Sequence, residues 1–508
     1  MTEAPESPPP RLSEAEIERR YRAIFDDEVL ARGELDQALD FVADVAASLP
    51  IAQRQAFLDN FQEFLQKQPT EDAVWQSLEP IARNLRQAHG DEILQRHEAR
   101  VVGTALDDFV ARVNAADTRN PEALRVVFVA HKPYFTILRI ALHLREKGHR
   151  VFLACLHPVP DVLAEVFDRA FDARVVMRGA RLMRRLLGAL EPDVFHIQCF
   201  QWNYWLGRLV IENKGRARVV GEFYDVTSLI APRDSYCRRW PAERVDMDFA
   251  MEAAICRGAD VVITRLPEAL NSRLRQRWGA PARVEQFWPY PSPAFAQPPR
   301  ARADFGRDAT RVVFPGNIIP RDAAHPKELF PQFGLLDVCE KLLDQGLHVD
   351  LLQDPHLPID PSSAEFADYG RALERFPHFR ILPGVSPDQL AERLADYDFA
   401  LMSFRFFLDG TWLDPDSIKY GMGTRMFTYL EAGLPIIMAA ESEYMAGIVA
   451  EHGLGLVVSW EKTGGVAERI ADFDYAACLA NIERYNARYG MDRQIGRLIE
   501  LYRGTASE

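Results

Sequence analysis

The sequence predicts an α/β protein with two consecutive parallel-sheet domains behind an all-α N-terminal region. Three observations carry that prediction. Short runs rich in Val, Ile and Phe recur from Arg125 onward, each followed by a segment of helical period. Such alternation implies a parallel sheet covered on both faces. A Pro-rich stretch, Pro289-Tyr-Pro-Ser-Pro293 and then Pro298-Pro299-Arg300, interrupts the alternation, which afterwards begins again. Before Arg125, apolar residues return at three- and four-residue spacing with few β-branched runs, the pattern of amphipathic helices.

Taken in order, residues 1–12 are rich in Pro and acidic groups and are expected to be disordered. Residues 13–120 carry apolar faces such as Leu35, Leu39, Val42 and Val45, then Phe57, Phe61, Phe64 and Leu65, and read as a helical packing or docking domain. Residues 121–290 form the first α/β domain. Its strands are expected at Arg125–Ala130, Arg150–Cys155, Ala173–Met177, Asp193–Gln198, Arg218–Phe223, Asp260–Thr264 and Val284–Phe287, with helices such as Thr136–Lys147 and Met247–Arg257 between them. Residues 291–308 read as a linker. The second α/β domain, 309–474, has strands expected at Arg311–Phe314, His348–Leu352, Phe379–Leu382, Phe399–Ser403, Pro435–Ala439 and Leu454–Val458. Helices over 475–508 close the chain. A ligand is expected between the two sheets, at their carboxyl strand ends.

Composition narrows the function. Of 508 residues, 48% are hydrophobic and 26% charged, which excludes a mostly disordered chain, a collagen-like repeat and a small disulfide scaffold. With 60 basic against 74 acidic residues the net charge is −14, so nothing global favours nucleic acid or anionic lipid. No apolar run approaches the roughly 20 residues that span a bilayer, and the N-terminus lacks the basic start and apolar core of a signal peptide. The six cysteines are scattered without a C-x-x-C pair and several lie in apolar runs, so reduced core residues and a cytoplasmic protein are expected.

Several segments resemble the GT-B glycosyltransferases, whose fold is two Rossmann-like halves. Leu144-Arg-Glu-Lys-Gly-His-Arg-Val151 resembles the L-x-x-R-G-H-E-V that leads into the second strand of their acceptor domain. Pro192-Asp-Val-Phe-His196 is similar to their P-D-V-V-H strand, and Gly258-Ala-Asp-Val-Val-Ile263 to the A-D-x-V-I before the linker. In the second half, Arg425-Met-Phe-Thr-Tyr-Leu-Glu-Ala-Gly-Leu-Pro435 resembles the donor-site segment K-L-F-E-Y-L-A-A-G-L-P, and Ile381-Leu-Pro-Gly384-Val-Ser-Pro-Asp-Gln-Leu390 the segment preceding it. The order and spacing are similar from about Arg125 to Tyr502, nearest to the retaining group that includes sucrose and mannosyl transferases. The resemblance implies transfer of a sugar from a nucleotide-activated co-substrate, with no cofactor and no metal, to a carbohydrate or protein acceptor. The N-terminal helices would recruit that acceptor or form a homo-oligomer. Two positions depart from the family: Thr428 stands where an acid usually meets the donor ribose, and Tyr420 replaces a second glutamate.

The resemblance also assigns residues. Gly316 and Asn317 end the first strand of the second domain beside the expected donor phosphates. Arg321 and Lys327 follow as phosphate ligands or as a solvated loop pair. Gly421-Met-Gly423-Thr424-Arg425 opens a helix toward the phosphates or forms a plain Gly-containing turn. Thr428 can hydrogen-bond a hydroxyl, and Glu443 would supply the missing acid. His131, directly after the first strand, is either a base or acceptor-orienting group, or a loop histidine. Asp225 closes the fifth strand as a sugar-contacting or basic carboxylate, or as a cap. His196 reads as a buried structural residue. Four D-x-D strings (Asp246/Asp248, Asp396/Asp398, Asp414/Asp416 and Asp472/Asp474) read as chance spacing rather than metal ligands. No zinc spacing, G-x-S-x-G elbow or P-loop occurs. The rival expectation, resting on Thr428 and Tyr420, is an inactive GT-B-like scaffold that binds through its helical domain.

Overall fold

The computed structural model describes residues 9–26, 42–43, 45–67, 74, 77, 105–116, 122–177, 179–280, 283–299, 310–320, 334–355, 357–402, 412–459 and 465–505. Two parallel sheets organise them. The first contains β1 (Arg125–Ala130), β2 (Arg150–Cys155), β3 (Ala173–Val176), β4 (Val194–Cys199), β5 (Arg218–Phe223), β6 (Val261–Thr264) and β7 (Arg283–Gln286), in spatial order 3-2-1-4-5-6-7. The second contains β8 (Arg311–Gly316), β9 (His348–Gln353), β10 (Phe379–Leu382), β11 (Phe399–Met402), β12 (Ile436–Ala439) and β13 (Gly455–Val458), in order 10-9-8-11-12-13. All pairings are parallel, for example Phe128 opposite Leu153 and His196. Each sheet reverses its order beside its first strand, which opens a crevice at the carboxyl ends there. The expected strands are all present, shifted at most a residue or two at their ends. The reason they were legible is burial: all six residues of β4 are buried, so a central parallel strand reads as an apolar run.

The helices that matter below are α1 (Glu14–Asp26), α2 (Ile51–Gln66), α3 (Thr136–Glu146), α4 (Ala242–Gly258), α5 (Glu268–Trp278), α6 (Pro415–Tyr420), α7 (Arg425–Glu431), α8 (Glu443–His452), α9 (Tyr475–Tyr489) and α10 (Met491–Arg503). The described N-terminal elements are helical. Tyr21 and Phe25 of α1, with Leu106, Phe109 and Val113 of a helix over 105–114, sit in the same apolar core as β1 and β2. Polar contacts fix α1 as well: Tyr21 Oη donates to Glu212 at 3.0 Å and Arg208 to Glu18 at 2.6 Å. Residues 9–12, expected within a disordered tail, are pinned instead. Arg233 donates to the carbonyls of Pro9 and Pro10, and Leu12 N to Asp246. The buried Arg233–Asp246 pair is what holds them. By contrast α2 has no fully buried residue, and its Phe57, Phe61, Phe64 and Leu65 gather around Val42.

At the other end, α9 packs on the second domain through Cys478, Ile482 and Tyr485. The chain then returns: Met491 N donates to Pro291 O at 2.7 Å, and Ile495, Leu498 and Tyr502 of α10 join the core of the first sheet. All six cysteines are free thiols, five of them buried. Among the described residues no helix is long and apolar enough to cross a membrane.

Candidate functional site

Both sheets point their carboxyl ends into one cleft. Tyr224 and Asp225 follow β5 and Arg265 follows β6, while Gly316 ends β8, Met402 ends β11 and Ser442 follows β12. Two adjoining cavities of about 330 and 350 Å³ fill the space between these strand ends. Tyr224, Thr424 and Arg425 line both, and Tyr224 Oη lies 3.4 Å from Thr424 Oγ1. That contact, made across the domain boundary, divides the cleft into two chambers.

The first chamber holds Asp225 and Arg265 in largely apolar walls, with Ser417, Thr424, Arg425 and Ser442 also on its border. Burial pushes the Asp225 carboxyl above its usual range, with Arg265 at 3.4 Å opposing the shift. The Arg265 guanidinium stacks 4.0 Å over the Tyr224 ring, donates to Tyr224 O at 3.1 Å and reaches across to Met422 O at 2.8 Å. Tyr224 in turn stacks with Phe200 and Tyr134, ring centroids 5.0 and 5.7 Å apart. An aromatic pile therefore fixes the residue that separates the chambers.

The second chamber is bounded by Gly316, Asn317, Gln353, Gly384, Thr424, Arg425 and Thr428 on one side and by Tyr134 and Arg139 on the other. Gly316 has φ +127°, and a Cβ there would fall 2.9 Å from an Arg425 nitrogen. Only glycine lets that guanidinium lie against the end of β8, over Phe314 at 4.6 Å. A Cβ at Gly384 would likewise strike Gln353 O. The rear wall is a buried ion pair. Arg139 donates to both oxygens of Glu431, at 2.7 and 2.6 Å, and to Thr428 Oγ1 at 3.1 Å. Glu431 also accepts from Ser292 N at 2.8 Å, tying the linker to the same post.

No family model matches the sequence, and no curated protein matches it. Solved structures do. A glycosyltransferase from Rickettsia africae ESF-5 superposes with a TM-score of 0.50 at 10% identity, over 75% of this chain and 98% of the other. With the two strand orders above, that decides the architecture. The chain has the GT-B fold. An O-GlcNAc transferase of Thermobaculum terrenum (TM-score 0.45, 14% identity, 79% of this chain and 73% of the other) and AviGT4, a glycosyltransferase of avilamycin A biosynthesis (0.43, 15%, 74% and 97%), are also similar.

The GT-B cleft gathers most of the residues singled out from the sequence. Gly316, Asn317 and Thr428 line the second chamber, Gly423 and Asp225 the first, and Thr424 and Arg425 both. Arg321 and Lys327 lie outside the described residues. His131 is in neither lining. Its ring packs 4.6 Å from His157, and burial, His157 and Lys132 lower its pKa to about 3, which makes it a weak base near neutrality. Glu443 is half-exposed at the start of α8, 3.1 Å from Lys419, and lines neither chamber. Thr428 already accepts a hydrogen bond from Arg139. His196 is fully buried between Tyr502 Oη at 2.5 Å and Glu222 at 3.2 Å, as a structural residue would be.

Most of the D-x-D acids have protein partners. Asp246 pairs with Arg233, Asp248 accepts from Trp202 N, Asp398 from Arg311 N and Asp474 from Ala477 N, and Asp414 and Asp416 share Arg273. Among the described residues no group of three or more His, Cys, Asp or Glu converges as a metal site. Sequence reasoning passed over Arg265 and Arg139. Arg265 directly follows a strand, the same signal that singled out His131. Arg139 stands among Ile137, Leu138, Ile140 and Ala141, a cation within the apolar first half of α3.

Proposed function

We propose that this chain is a glycosyltransferase that moves a sugar from a nucleotide-activated donor to an acceptor held in the first chamber. The observation that carries the proposal is one cleft with Arg425 on the second-domain wall and a partly buried Asp225, its pKa raised, on the first-domain wall. Arg425, with the close backbone approach at Gly316 and Asn317, takes the charge of the departing diphosphate, and Arg321 and Lys327 belong to the same proposal. Asp225, its basicity raised by burial, receives the acceptor proton. Closure of the two domains excludes water from the reacting atoms. The motifs of the second domain resemble those of the retaining group and of metal-independent enzymes, but a base on the acceptor oxygen belongs to inverting displacement, so retention would leave Asp225 to orient the acceptor. Product anomer, read by NMR, tests the first, and activity in excess chelator tests the second.

Thermal stability in the presence of a panel of nucleotide sugars tests the donor site. A true donor at about 100 times its Kd stabilises by roughly 2.7 kcal/mol. Arg425→Ala should weaken that donor about tenfold or more. No stabilisation across the panel by a folded protein would overturn the reading. One observation favours the scaffold alternative: Arg139 already engages both Thr428 and Glu431, the hydroxyl and carboxylate nearest the position of the missing acid. Release of nucleoside diphosphate in the presence of acceptor decides between the two.

A further inference from the structure

The first chamber has an unusual chemistry for a site meant to receive sugars. Its walls are Leu229, Leu266 and Leu270 from the first domain and Leu413, Ile418 and Met445 from the second. Most of the polar side chains described nearby are committed, while Arg425 and Ser442 also border the space. Arg265 donates to Tyr224 O, Met422 O and Asp225; Ser417 Oγ donates to Asp414 O; Thr424 Oγ1 meets Tyr224. A pyranose entering this space would strip water from several hydroxyls and find few uncommitted partners among the described residues, and each hydroxyl left unpaired opposes its entry. A hydrocarbon or aromatic body loses nothing by the same transfer and gains its buried area. The volume, about 330 Å³, lies at the lower end of ligand pockets and suits one or two fused rings or a short branched chain. Met445 adds a wall that can adjust to the shape of its guest.

We propose that the acceptor is a small apolar alcohol or phenol whose body fills this chamber and whose hydroxyl meets Asp225. The inference rests on the transferase reading and names the acceptor class for it. In the step it implies, the acceptor oxygen forms the new bond to the anomeric carbon, and its proton passes to the Asp225 carboxylate. The anomeric carbon–oxygen bond to the diphosphate breaks, and the electron pair leaves on the phosphate oxygen. The products are the glycoside and a nucleoside diphosphate, and Asp225 later gives the proton to water.

The test uses 1-naphthol as the apolar probe, with methyl glucoside and a Ser/Thr-containing peptide as rivals. Binding is followed by saturation-transfer NMR on the full chain, and turnover is followed with whichever nucleotide sugar stabilises it. The expected result is that 1-naphthol binds and accepts the sugar while both rivals fail. Ile418→Trp, which fills the chamber, and Met445→Gln, which makes one wall polar at similar volume, should each weaken 1-naphthol about tenfold or more. Stabilisation by the donor, bound in the second chamber, should persist in both variants and also shows that they are folded. Absence of naphthol binding, equal affinity in both variants, or transfer to the glucoside or peptide alone would overturn the proposal. If no nucleotide sugar stabilises the chain but 1-naphthol binds and the variants weaken it, the transferase reading falls with the acceptor role, and the apolar ligand class stands.

Discussion

Among the contacts between the two domains, the one at the rear of the cleft and the one at its front are built on opposite principles. At the rear, Arg139 and Glu431 are 2% and 1% exposed, and the pair is bidentate. Phe135 and Phe295 lie against the guanidinium at 4.8 and 5.9 Å. At the front, Arg273 of α5 reaches Asp414 and Asp416 at the start of α6, with 41%, 23% and 45% of those side chains exposed. Trp412 sits beside them against Tyr236 and Trp240, centroids 5.1 and 5.5 Å away. The rear pair is desolvated and cannot be broken on one side without stranding a charge. The front pair exchanges protein for water at little cost. A cleft assembled this way is fixed at its back and yields first at its front, beside the apolar chamber.

The largest effect should follow from attacking the rear pair on one side. Glu431→Ala leaves Arg139 buried without its carboxylate and should cost about 3–5 kcal/mol in denaturant unfolding. Arg139→Met combined with Glu431→Leu should recover most of that loss, because it removes both charges and keeps the volume. A single variant that unfolds at the wild-type denaturant midpoint would show that the rear contact is not the anchor it looks like.

An intermediate effect belongs to a buried acid that has no cation in direct contact among the described residues. Asp248 of α4 is 4% exposed, and burial raises its pKa to about 8. Thr227 Oγ1 lies 2.8 Å from it and Trp202 N donates to it, while the acid Glu252, the phenols Tyr204 and Tyr236, and Arg244 are its charged or titratable surroundings. Between the unfolded carboxylate value near 4 and about 8, the native chain holds a proton that the unfolded chain has lost. Stability therefore falls as pH rises through that window, by at most about 1.4 kcal/mol per pH unit for this one proton. Asp248→Asn, a neutral group of the same shape, should flatten the slope by that amount. An unchanged pH profile between 5 and 7 would mean that Asp248 is ionised in place.

How much of this was legible beforehand depended on burial geometry. The central strands were readable because they are buried on both faces and carry near-continuous apolar runs, as in β1, β4 and β12. Asp225 and Gly316 were readable because position after a strand selects the cleft edge. The partner of a helix face was not: periodicity shows that Tyr21 and Phe25 are buried, but not that they are buried in the first sheet's own core. Glu443 came from the resemblance alone. In three dimensions it begins a helix at the surface, where Lys419 is the nearer partner. Arg139 was missed because its meaning lies 292 residues away, in Glu431.

The smallest effect, and the one that completes the contrast, belongs to the front. Arg273→Ala removes two partly exposed ion pairs and should cost no more than about 1 kcal/mol. Its signature is salt dependence. Screening shortens the reach of charge from about 10 Å at 0.1 M salt to about 3 Å at 1 M, so the gap between wild type and Arg273→Ala should close as salt rises. The gap opened by Glu431→Ala should stay, since ions cannot enter that contact. Unfolding curves for the three proteins at low and high salt read both differences at once. If the Arg273 gap persisted at 1 M, Trp412 and the ring of aromatics behind it, rather than the carboxylates of α6, would be what holds the front closed.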